Sequence, residues 1–67
     1  SRLYDKYKSF TTVYAAMYIG EQTVDAWLSD ESLVDKNGKL LKIPDRDTEK
    51  YVERVMSAIE VYRELDK

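Results

Sequence analysis

The chain has 67 residues, neither cysteine nor histidine, and a formal net charge of −2. Disulfides and the usual zinc ligand sets are excluded, as is catalysis by a histidine base or a cysteine nucleophile. A chain this short buries only about 60% of the surface it exposes when unfolded, so its core must come from apolar side chains alone, or with help from a partner or a second copy.

Taken in order, Leu3, Tyr7 and Phe10 recur at i, i+4 and i+7, one face of a short helix or turn that must dock on the rest. Next comes the stretch around which the chain is organised, residues 10–33, read as two short amphipathic helices broken at Gly20. Thr11 or Thr12 can cap the first, which is lined by Val13, Ala16 and Met17 and flanked by Tyr14, Tyr18 and Ile19. Gly20 is the natural stop, because it reaches backbone conformations that a Cβ forbids. Thr23 can cap the second helix, with Val24, Trp27 and Leu28 as its apolar set. Trp27 reads as a core anchor.

Asn37-Gly38 is the strongest short-range signal for a two-residue type I′ hairpin. Centring the turn there pairs Lys36 with Lys39, Asp35 with Leu40 and Val34 with Leu41, and puts Val34, Leu41 and Ile43 on one buried face. After Pro44, Asp45 or Asp47 can cap a final helix, roughly residues 48–65. Its stripe is Val52, Val55, Met56, Ile59, Tyr62 and Leu65, which can outrun the core available to it. The fold class expected is therefore mainly α with one β-hairpin. It is one domain over residues 1–67: an arm at 1–10, a helix-turn-helix at 11–33, a hairpin wing at 34–43 and a C-terminal helix at 45–66.

Residues 1–20 hold three bases and one acid, residues 21–35 five acids and no base, and residues 36–50 five bases and three acids. Partners feel these local fields rather than the total. Chemistry candidates are few. Ser9, Ser29, Ser32 and Ser57 lack an activating neighbour, and the pairs Asp30/Glu31 and Asp45/Asp47 suit caps better than a general acid and base. Asp35-Lys36-Asn37-Gly38 imitates the middle of a calcium loop, but Leu33 and Pro44 then occupy the outer ligand positions. No catalytic activity, cofactor, metal or small-molecule substrate is expected.

The order of elements, with Thr12-Val13, Ala15-Ala16, Ile19-Gly20, Thr23-Val24, Trp27-Leu28 and the turn at Asn37-Gly38, resembles the excisionase and MerR-like winged helix-turn-helix group. The resemblance covers residues 11–60. It implies a small DNA-binding or DNA-architectural module, as in recombination accessory factors and regulators of phages and mobile elements. Phosphates would then be held by Lys36, Lys39 and Lys42 of the wing with Lys6 and Lys8 of the arm. Gln22, Thr23, Ala26 and Ser29 would face the groove. The chain departs from the group in two ways. Only Glu21, Gln22 and Thr23 separate the glycine from the second helix's buried position, and residues 23–35 carry four acids and no base.

The alternative function is a protein-interaction or oligomerisation module on a helix-turn-helix scaffold. It would use Asp25, Asp30 and Glu31 of the acidic second helix, or Val55, Ile59 and Tyr62 of the last. The lysines also suit a bland role, guarding exposed strand edges. No apolar run approaches the ~20 residues that span a bilayer, no signal-peptide pattern opens the chain, and the missing cysteine fits a reducing compartment. A soluble, cytoplasmic protein without a membrane partner is expected. The chain opens on Ser1 rather than Met, as a piece of a longer protein would.

Overall fold

A computed structural model describes residues 1–66. Four α-helices follow one another: α1 (Arg2–Tyr7), α2 (Phe10–Ile19), α3 (Glu21–Leu28) and α4 (Arg46–Leu65). A short 3₁₀ turn at Glu31–Leu33 follows α3. Helix α2 is the centre, and α1, α3 and α4 each pack against it.

The break at Gly20 is sharper than the sequence reading places it. Residues 21–23 form the first turn of α3 rather than a connecting turn, so one residue separates the two helices. Gly20 sits at φ 100°, ψ 149°, a region open essentially to glycine alone. Its N–H donates to the Ala16 carbonyl at 2.9 Å and its carbonyl accepts from Val24 at 3.3 Å. It thereby closes one helix and opens the next. The caps differ too: Ser9, not Thr11 or Thr12, accepts from the Thr12 amide at the start of α2. No side chain caps α3, so Thr23 is not its cap. Asp45 caps α4, accepting from both the amide and the hydroxyl of Thr48 at 3.0 and 2.6 Å.

No β-hairpin is present among the described residues, and with it the winged architecture fails. One isolated antiparallel bridge joins Val34 to Leu40. A type I′ turn needs positive φ at both central residues, and Asn37 does not adopt it; Gly38 alone does, at φ 81°. Instead the Asp35 carboxylate accepts the amides of Asn37 and Lys39 at 2.8 and 3.0 Å, and the Gly38 amide donates to the Asp35 carbonyl. The turn therefore spends three residues, 36–38, where the hairpin reading allowed two. Val34 meets Leu40 in place of Leu41, and a one-residue slip reverses which side chains face inward. Leu40 is half-buried and Leu41 lies outside, 64% exposed. Residues 41–45 then bend away into α4 without a second strand.

The core is small. Ala15, Ala16, Val24 and Val52 form it, with Tyr7, Tyr14, Ile19, Trp27, Leu28, Ile43 and Tyr51 packed around them. Small side chains on α2 let α3 and α4 approach it from two sides. Trp27 is half-buried as an anchor should be, whereas the tyrosines divide: Tyr7 and Tyr14 are half-buried, Tyr18 and Tyr62 exposed. No buried side-chain nitrogen or oxygen among the described residues lacks a partner.

Candidate interaction surfaces

The first candidate surface is the edge where α1 meets α3. The Arg2 guanidinium donates to both carboxylate oxygens of Glu21, at 3.1 and 2.6 Å. Lys6 Nζ lies 3.1 Å from Glu21 Oε1 and 2.9 Å from Asp25 Oδ2. The Tyr7 hydroxyl donates to the other Asp25 oxygen at 2.8 Å. One turn spacing explains the match, since Arg2/Lys6 and Glu21/Asp25 are both i, i+4 pairs.

The hydrogen bonds from Arg2, then those from Lys6, hold the Glu21 carboxyl down at about 2. Asp25 is lowered first by Lys6 and then by Tyr7. Lys6 is raised in turn, mainly by Asp25 and then Glu21. Burial raises Tyr7, and its bond to Asp25 adds to the shift. The acidity of α3 that the sequence displays is thus largely neutralised from within.

That finding reassigns several expected site residues. Lys6 is engaged by the carboxylates of Glu21 and Asp25. Lys8 closes α1 in a left-handed conformation, φ 56°, with its ammonium 6.0 Å from the Tyr4 ring. Lys36 opens the three-residue turn, Lys39 follows it and both are exposed, but the described residues form no wing for them to tip; Lys42 lies exposed on the bend beyond. Gln22, Ala26 and Ser29 share an exposed face of α3, while Thr23 is half-buried beside it. The Ser29 hydroxyl donates back to the Asp25 carbonyl.

Among the alternative residues, Asp25 is tied to α1. Asp30 caps the 3₁₀ turn, accepting from the Ser32 hydroxyl at 2.7 Å and the Ser32 amide at 2.9 Å, which lowers its carboxyl. Glu31 is exposed. The acids and the α4 residues do not form one surface, because α2 packs between α3 and α4.

Compared with known proteins, the chain matches no family model, no curated protein and no solved structure.

The second candidate surface is the far half of α4. Helix α2 runs beside α4 so that Tyr18 stacks on Tyr51 at 4.8 Å, while Phe10 and Tyr14 lie beside Met56, Ile59 and Arg63 around a cleft of about 200 Å³. Phe10, whose ring meets that of Tyr4 in a tilted contact at 4.6 Å, is 56% exposed. Val55 and Ile59 are half-buried along this side. Beyond Phe10, α4 continues with little to cover it, and Tyr62 and Leu65 are 70% and 74% exposed.

The stripe read from the sequence understates this segment. Ala58, Val61, Tyr62 and Leu65 stand at i, i+3, i+4 and i+7 and make a second apolar seam, all four exposed. The stripe through Val52, Val55 and Ile59 faces α2, and this seam faces away from it. Seven of the eleven residues from 55 to 65 are apolar. The apolar surface of this segment is thus wider than the one stripe that its own domain covers. The signal was in the spacing, masked because Tyr62 and Leu65 fit the first stripe as well. Among the described residues no helix is long and apolar enough to cross a membrane, and no cluster of acids could hold a metal.

Proposed function

We propose that this chain is a protein-interaction module whose docking surface is the far half of α4. The observation that carries the reading is the exposure of Val61, Tyr62 and Leu65 on a helix segment that its own domain covers on one side only. Exposed apolar area of this kind, continuous rather than scattered, marks association surfaces. The charged edge between α1 and α3 supports the same choice. Its bases are already paired with acids, so it offers a nucleic-acid backbone little net field. A cytoplasmic location belongs with this reading.

Oxidative footprinting tests it. Tyr62 and Leu65, the most exposed of these side chains, are compared in the dilute pure chain and in extract of the source cells. The reading expects both to be protected in extract, and the protection to survive nuclease. Equal reactivity in the two samples contradicts it. So does protection confined to the Lys36–Lys42 segment and abolished by nuclease.

A further inference from the structure

Resting on the reading of α4 as a docking surface, we infer that its partner is a second copy of this chain, with the two α4 helices antiparallel across the seam Ala58–Val61–Tyr62–Leu65. Three observations converge on it. The first is area. A compact monomer of 7.9 kDa exposes roughly 4,400 Å², whereas this chain exposes 5046 Å². The excess, roughly 600 Å², is close to the roughly 800 Å² that each partner of a standard interface gives up.

The second is self-complementarity. A two-fold axis crossing α4 between Val61 and Tyr62 sets Ala58 of one copy opposite Leu65 of the other, and Val61 opposite Tyr62. The smallest side chain of the seam meets the most exposed large one, twice. A closed two-fold interface requires such a patch that fits itself. A parallel pairing would instead set Ala58 on Ala58 and Leu65 on Leu65, leaving a void beside a bulge.

The third is charge. Arg54 lies one turn before Ala58 on the same side of the helix, and the antiparallel arrangement brings it toward the other copy's α4 C-terminus. There, terminal carbonyls and Asp66 present negative charge. Parallel helices would place Arg54 against Arg54. Since α2 packs along the stripe of α4 that this seam turns away from, and α3 lies beyond α2, the two bundles stand clear of each other.

Sedimentation equilibrium of the full chain from low micromolar to millimolar concentration reads the outcome. The mass is expected to rise from monomer to dimer, and Val61→Glu to weaken association by at least about tenfold while circular dichroism stays unchanged. Because the chain has no cysteine of its own, the register can be read by oxidation. Ala58→Cys mixed with Leu65→Cys should give disulfide-linked dimers, and neither variant should do so alone. A chain that stays monomeric at every concentration overturns the proposal, and dimers linked from Ala58→Cys alone overturn the antiparallel register. A monomer whose Tyr62 and Leu65 are still protected in extract would remove the second copy and leave the interaction reading standing. A monomer with neither protected would remove both.

Discussion

The two exposed regions of this molecule are finished in opposite ways. Along the α1–α3 edge each carboxylate of Glu21 and Asp25 meets a cation, and even the Tyr7 hydroxyl has its acceptor. On the far half of α4, Val61, Tyr62 and Leu65 face solvent with more than half their surface open. Polar groups that find partners inside the chain have little left to give an outside one. Apolar groups left open have much of their transfer free energy still to gain. Where a domain leaves apolar surface uncovered is therefore a better guide to its contacts than where its charges stand in the sequence.

The largest effect should come from breaking what both regions share. Val24 is fully buried between α2 and α3, and Val24→Ala should cost about 2 kcal/mol, a fall in Tm of roughly 10 °C, measurable by calorimetry. Both the charged edge and the open seam depend on that core, so each should loosen together.

Next in size is the acid response of the edge. The Glu21 carboxyl is held at about 2 in the folded chain against 4.5 for the free group. A lowered folded value means the unfolded chain binds more protons between those two values. The edge's contribution is therefore complete above about 4.5 and lost as pH falls toward 2. For Lys6 the sign reverses: its raised folded value keeps the contribution complete below 10.5 and loses it above. Urea midpoints followed against pH at low salt should fall at both extremes. Glu21→Gln should flatten the acid limb, and an unchanged acid limb would show that the edge is not the source. Added salt should shrink the effect, as it does for exposed pairs.

The smallest effect on stability should belong to the open region. Tyr62→Ser removes a side chain 70% exposed and should change the stability of the monomer by less than about 0.5 kcal/mol in urea titration at low concentration. A larger loss would mean that Tyr62 supports its own domain, and the contrast between the two regions would fail.

Much of the helical frame was legible in the sequence. Gly20 announced the break, Asp45 the cap, and Val52 with Val55 and Ile59 the inward stripe of α4. The turn at Asn37-Gly38 was not, because the dipeptide suits more than one turn. What selected among them was Asp35, whose carboxylate takes two amides that an extended strand pair would leave to the backbone. The pairing of Arg2 and Lys6 with Glu21 and Asp25 was equally hidden, since it joins residues up to 19 positions apart. Their matching i, i+4 spacing was visible, but only the packing of α1 and α3 on α2 brings the two pairs face to face. Counting acids in residues 21–35 consequently overstated the field a partner would feel.

The central claim is that the far half of α4 makes the contacts and the α1–α3 edge does not. A photoreactive side chain placed at position 62, and separately at position 22, compares the two regions within one living cell. The account predicts protein adducts from position 62 and few from position 22. Adducts chiefly from position 22, or adducts to nucleic acid from either, would contradict it.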